Sequence, residues 1–153
     1  MGPLVLPAFG QVYVETNTLI YTVEHHPSYG PLLDPFWQAA SAGQVTPISS
    51  ALIITEALVM PLRNGNLLLQ AAYEAALFSA DLQLVPLTQD VLREAARLRA
   101  IIPGLRTPDA LHAATALTAG CTLFLTNDTG FRRVPGLPLM ISDLVILDDV
   151  LAA

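Results

Sequence analysis

At 153 residues the chain is long enough for one domain with its own core and too short for two comfortable ones. Its hydrophobic share is 53% and its mean hydropathy +0.53, yet no stretch approaches the roughly 18 uninterrupted apolar residues of a transmembrane helix, so a soluble, cytoplasmic protein without a membrane partner is expected. A net charge of −6 and a pI near 4.7 argue against a protein that holds nucleic acid chiefly by a basic surface.

Residues 1–10, MGPLVLPAFG, have no basic residue ahead of their apolar part and are broken by Pro3 and Pro7. They read as a loosely ordered extension of a single domain over 1–153, not as a signal peptide. Val12, Tyr13 and Val14 then form a β-branched and aromatic run suited to a strand buried on both faces. Glu15, Thr16 and Asn17 place a charge and two cap-forming side chains at its end, and Leu19, Ile20 and Val23 resume at helical spacing. A strand that ends on an acid and turns straight into a helix is a site-bearing turn in an open α/β sheet, because ligands sit beyond the carboxyl ends of such strands. An exposed acid in an ordinary turn accounts for Glu15 equally well.

His25 and His26 fall in a polar stretch that reads as a loop to Pro31; adjacent histidines rarely converge on one ion, which leaves them little weight as ligands. Helical spacing over 32–42 ends at Gly43, a short strand is expected over 44–48, and Ser49 or Ser50 would cap the next helix. In that helix Glu56 is the only charge in ALIITEALVM. An unpaired carboxylate is expensive to bury, so Glu56 either reaches solvent or points at a cation near Glu15. Pro61 and the Asn64-Gly65-Asn66 turn end the segment. The Ala- and Leu-rich helix over 67–78 carries Leu67, Leu68 and Leu69, which fit either a core or a partner groove.

Residues 82–85 read as a strand, and Thr88 caps a helix to Ile101 that bears Arg93, Arg97 and Arg99, with Asp90 and Glu94 as local partners. Thr107-Pro108-Asp109 combines a threonine cap, a proline at the first helical position and an acid where the helix dipole favours one; capping alone accounts for Asp109. The helix continues to Ala119 and carries His112, read as a packing residue or a partner for a polar neighbour. Residues 121–125 form a buried strand running into Thr126-Asn127-Asp128, Phe131 packs beneath a short helical turn, and 139–141 is a last strand before an apolar-acidic tail over 142–153. Cys121, the single cysteine, has no internal partner and reads as a small buried hydrophobe. Strands alternating with helices in this way specify an α/β fold.

All seven cations are arginine, and a P-loop needs its lysine; GxGxxG, GxSxG, CxxC and HExxH are also missing. Four segments, VYVETNTLIY, ISSALIITEAL, TPDALHAATAL and FLTNDTGFRRV, resemble the PIN-domain ribonucleases in order and spacing, most closely the bacterial VapC-like toxin branch. The resemblance implies a three-layer α/β/α PIN-like, Rossmann-like domain with a central, mainly parallel sheet. It further implies an endoribonuclease whose Mg2+ or Mn2+ is held by Glu15, Glu56, Asp109 and Asp128, with Asn17 and Thr126 in support. An antitoxin partner and a homodimer are implied as well. Arg93, Arg97, Arg106, Arg132 and Arg133 supply candidate contacts to the RNA backbone. The family's first acid is usually aspartate, and here the matching position is Glu15, one methylene longer. That departure keeps a second reading open, a non-catalytic or weakened PIN-like module that binds RNA or protein. A phosphatase on another α/β fold is disfavoured, since no DxD arrangement follows the first strand.

Overall fold

Val12, Tyr13 and Val14 are fully buried at the centre of a five-stranded sheet. The structure, a computed structural model, describes residues 10–141. The expected N-terminal extension, Gly10 apart, and the tail over 142–153 lie outside the described residues. The strands are β1 (Gln11–Val14), β2 (Thr46–Ser50), β3 (Gln83–Val85), β4 (Leu123–Thr126) and β5 (Leu139–Ile141), and all of their pairings are parallel, in the order β3-β2-β1-β4-β5. The helices are α1 (Thr16–Val23), α2 (Tyr29–Ser41), α3 (Leu52–Arg63), α4 (Leu67–Leu77), α5 (Gln89–Ile101) and α6 (Thr107–Ala119), with a 3-10 turn over Thr129–Arg133. No described helix is long and apolar enough to cross a membrane.

Parallel strands need crossover helices, which cover both faces and let the strands be apolar throughout. Along β1 the side chains alternate between two cores. Val12 and Val14 join Leu19, Leu33, Phe36, Ile53 and Leu77 beneath α1 to α4. Tyr13 points the other way, into a core with Leu98, Ala113 and Phe124 beneath α5 and α6, where its ring stacks on Phe124 at 4.8 Å. Each large apolar side chain so buried contributes roughly 1.5–3 kcal/mol. The three-layer α/β/α architecture expected from the sequence is therefore present.

Several boundaries differ from the sequence expectations for local reasons. α2 begins at Tyr29, before Pro31, since proline is tolerated in a helix's first turn. Ser49 and Ser50 belong to β2 and do not occupy the N-cap position, which falls on Ala51. Ser49 Oγ donates to the Val14 carbonyl at 2.7 Å, tying β2 to β1, while Ser50 Oγ still accepts the Leu52 amide at 3.1 Å. α3 runs through a buried Pro61 to Arg63. Thr107 is the first residue of α6, with Arg106 at the cap, and its hydroxyl accepts from Arg99 Nη1 at 2.8 Å. Leu67 and Leu68 do not enter the core; they are 76% and 87% exposed. Cys121 is buried as expected, and burial pushes its thiol up to about 11.

From β1 the chain steps outward through β2 to β3, then crosses back to place β4 on the other side of β1. The crevice at such a reversal is where an open α/β sheet binds ligands, at the carboxyl ends of its strands. Glu15 follows β1 directly, and Thr126 ends β4.

Candidate active site

Glu15 occupies the N-cap position of α1, but its side chain does not cap the helix. The backbone does the local work. The Glu15 amide extends the β1–β4 ladder to the Leu125 carbonyl at 3.4 Å, and the Glu15 carbonyl accepts from Thr18 at 3.0 Å. That frees the carboxyl group to turn into the crevice, where Oε2 accepts from Thr126 Oγ1 at 3.2 Å. The residue is only 8% exposed. Burial raises its pKa above the usual carboxylate range and the Glu56 charge adds to this, against the lowering pull of His112, the Asn17 amide and Thr126.

Glu56 projects from α3, the helix that follows β2. Its Oε1 receives the Thr16 hydroxyl at 2.8 Å and His112 Nε2 at 2.5 Å. Partial burial opposes ionisation, but His112, Thr16 and the more distant Arg106 outweigh it and hold this carboxyl below the ordinary range. Of the two readings of Glu56, one that reaches solvent and one that points at a cation near Glu15, neither describes the side chain alone: it is half-buried and bonded to Thr16 and His112. Two carboxyl groups that sense each other thus have opposite shifts: Glu15 is buried with weak donors, Glu56 is half-buried with strong ones.

Asp109 and Asp128 line one cleft together with Gly104, Arg106, Gly130 and Arg133. Asp109 lies in the first turn of α6, with Arg106 Nε 3.4 Å from its Oδ2. Asp128 caps the 3-10 turn: its Oδ1 accepts the Gly130 amide at 2.7 Å, and its own amide donates to Thr126 Oγ1 at 3.0 Å. The Thr126 hydroxyl is therefore bonded both to Glu15 and to the amide of Asp128. Arg133 is held against the cleft by the carbonyls of Gly130 and Pro103, at 3.0 and 3.2 Å.

Of the four acids predicted from the sequence, the structure brings together two pairs, Glu15 after β1 with Glu56 on α3, which sense each other, and Asp109 on α6 with Asp128 after β4, which line one cleft; Thr126 links the pairs through Glu15 and the Asp128 amide. The supporting polar residues divide: Thr126 bonds Glu15 through its side chain, whereas Asn17 is exposed and reaches Glu15 only through its backbone amide. Of the arginines, Arg106 and Arg133 border the cleft; Arg132 is exposed on the 3-10 turn, Arg93 is exposed on α5, and Arg97 pairs with Glu94 at 2.5 Å. Sequence reasoning passed over Thr16 and Tyr13, and took His112 no further than packing or an unspecified polar partner. The available signal for His112 was its spacing, three residues after Asp109 on the same helix face.

Among the described residues, no three His, Cys, Asp or Glu side chains stand close enough together to hold a metal ion. The chemistry of the donors nevertheless fits a hard divalent cation: every acid offers carboxylate oxygen, and the buried Glu15 is opposed in its ionisation by Glu56, a conflict that a cation relieves.

Comparison with curated proteins finds no match. Among solved structures, the chain is similar to VapBC2 from Rickettsia felis bound to a promoter DNA fragment, at 20% identity and a TM-score of 0.68, covering 86% of this chain and 98% of that one. It is also similar to a toxin-antitoxin complex from Klebsiella pneumoniae, at 21% identity and a TM-score of 0.61, covering 86% and 97%. A third likeness is to VapBC-5 from Mycobacterium tuberculosis, of the VapBC family of toxin-antitoxin systems, at 23% identity and a TM-score of 0.55, covering 88% and 98%. At these identities the likeness is one of fold. The PIN domain family model matches residues 12–137, from β1 to the approach to β5 and well over half of the chain, so the chain belongs to the PIN-domain family.

Proposed function

We propose that this protein is a Mg2+- or Mn2+-dependent endoribonuclease that hydrolyses RNA phosphodiester bonds and serves as the toxin of a toxin-antitoxin pair in the cytoplasm. The observation that carries the reading is a linked pairing of acids on a PIN-domain fold: Glu15 senses the Glu56 charge, Asp109 and Asp128 line one cleft, and the Thr126 hydroxyl bonds both Glu15 and the Asp128 amide. When bound, the divalent ion supplies Lewis-acid stabilisation of the phosphate and lowers the pKa of the attacking water. The chain's own part is to hold the acids in place, and its acidic total is then no obstacle to RNA. Arg106 and Arg133 beside the cleft are placed to hold the flanking backbone.

The structural neighbours come from toxin-antitoxin complexes, which supports an antitoxin partner. Support also comes from the exposed apolar side chains of Met60 and Leu62 on α3 and Leu67 and Leu68 on α4, a surface suited to an antitoxin or to the second subunit of a homodimer.

A specific observation favours the second reading, a binding module without hydrolysis: Asp109 lies toward Arg106 while Glu15 carries an extra methylene and bonds Thr126. Cleavage of a panel of single-stranded and transfer RNA by the purified protein decides between them. Cutting that requires Mg2+ or Mn2+, stops with chelator and is abolished by Asp109→Asn establishes the nuclease. Folded, partner-free protein that cuts nothing points to the binding module.

A further inference from the structure

His112 is 1% exposed, yet both of its ring nitrogens are engaged. Nδ1 lies 2.5 Å from the Tyr13 hydroxyl and Nε2 lies 2.5 Å from Glu56 Oε1. The proton order along this chain follows from donor and acceptor counting. An ionised carboxylate only accepts, so Nε2 must carry the proton it shares with Glu56. Tyr13 already accepts the Ser50 amide at 3.1 Å, and its own proton is free to donate to Nδ1. The sequence Ser50 N–H, Tyr13 O–H, His112 Nδ1 and then Nε2–H to Glu56 gives every member of this chain a partner and turns the ring's Nε2–H toward Glu56. The opposite tautomer would set a bare nitrogen against a carboxylate.

The consequence lies at Glu56. Thr16 donates to the same oxygen that His112 does, Oε1, at 2.8 Å. Two donors on one oxygen fix the carboxylate's rotation and leave Oε2 without a hydrogen-bond donor among the described residues. We propose that His112 is a positioning residue: Tyr13 holds the ring with Nε2 toward Glu56, and together with Thr16 it pins Glu56 Oε1 so that Oε2 is presented as a ligand oxygen for a divalent cation. This rests on the metal-dependent reading given above. Partners that orient a metal-bound carboxylate commonly change metal affinity 10–100-fold when removed.

The test combines two readouts on the full chain. Long-range proton–nitrogen NMR of metal-free, 15N-histidine-labelled protein is expected to show His112 as Nε2–H in the wild type and to show loss of that single form in Tyr13→Phe. Tyr13→Phe removes one oxygen and keeps the stack on Phe124, so the fold is retained even where a substitution at His112 fails to fold. Mn2+ affinity, read from the EPR signal of free Mn2+, is expected to fall roughly 10–100-fold in His112→Leu and measurably in Tyr13→Phe. His112→Gln, which keeps an N–H near the Nε2 position, should recover much of it. An Nδ1–H tautomer in the wild type overturns the proposal, as does unchanged Mn2+ affinity in both Tyr13→Phe and His112→Leu. Wild-type protein that binds no Mn2+ overturns the metal reading and the ligand role of Glu56 with it, which separates that failure from one confined to His112.

Discussion

Thr126 Oγ1 stands 3.2 Å from Glu15 Oε2 and 3.0 Å from the Asp128 amide, so one hydroxyl at the end of β4 joins the acid that follows β1 to the acid that opens the 3-10 turn. The two strands pair directly, and the hydroxyl extends their register beyond the last ladder bond. Thr126→Val keeps the shape and removes both hydrogen bonds. It is expected to lower stability by about 1–3 kcal/mol, because Thr126 is fully buried and the Asp128 amide loses its acceptor. Cleavage should fall by roughly tenfold, about 1.4 kcal/mol in the barrier. Thr126→Ser should restore most of both. Denaturant melts and initial rates on the three proteins check this; valine and serine variants with equal rates would remove Thr126 from the site.

Glu15 has a distinct pH signature. Its folded pKa is raised, so the native state holds this proton to higher pH than the unfolded chain does. The sign follows: stability is greatest below the unfolded carboxylate pKa and is lost as pH rises from there through the raised folded value. Glu56, with a lowered pKa, acts oppositely, contributing stability above the unfolded value that is lost as pH falls through its folded one. In metal-free protein at neutral pH, Glu15→Gln should therefore raise the melting temperature, by about 2–4 °C for each kcal/mol recovered. Glu56→Gln should lower it, and both should abolish cleavage. A Glu15→Gln protein that melts below the wild type at neutral pH would contradict the account of Glu15 as a strained, buried acid.

Much of this site was legible before any coordinates because its parts are local. The β1 run followed by Glu15, the lone Glu56 in an apolar helix, and the Thr126-Asn127-Asp128 turn each break a hydrophobic pattern, and the α/β alternation puts such breaks at strand ends. The errors have local causes too. Ser49 and Ser50 carry cap chemistry, but β2 extends through them because Ser49 can bond the neighbouring strand. For Leu67 and Leu68, which the sequence left open between core and partner groove, helical apolar spacing could not decide, and the face they occupy is not covered within the described chain. What could not be read is pairing across the chain. His112 meets Tyr13, 99 positions away, and Glu56, 56 positions away. Nothing in its own apolar helix names those partners.

Divalent metal should stabilise the fold, since a ligand that binds only the native state adds about 2.7 kcal/mol at a concentration one hundred times its Kd. For a domain of this length that is roughly 5–11 °C in melting temperature. Melts with Mg2+, with Mn2+ and with chelator are expected to show the rise, and Asp109→Asn should reduce it. Identical melts in metal and in chelator would speak for the non-catalytic reading.

Gly130 lies where a side chain would disturb Asp128 and little else. A Cβ built there would stand 2.9 Å from Asp128 Oδ1, while the next contacts, including Arg133 Nη2 at 3.6 Å, are ordinary. The close contact is with the free end of a side chain, so the backbone need not move; the carboxylate must. Gly130→Ala should therefore displace Asp128 Oδ1 from the Gly130 amide it now accepts at 2.7 Å. The expected result is selective: a change in stability of no more than about 1 kcal/mol, with a fall in cleavage of roughly tenfold or more. Asp128→Asn supplies the reference for complete loss of the carboxylate. If Gly130→Ala cleaves as fast as the wild type while Asp128→Asn is inactive, the present orientation of Asp128 is not the one that matters for the reaction, and the residue must turn out of its own loop to act.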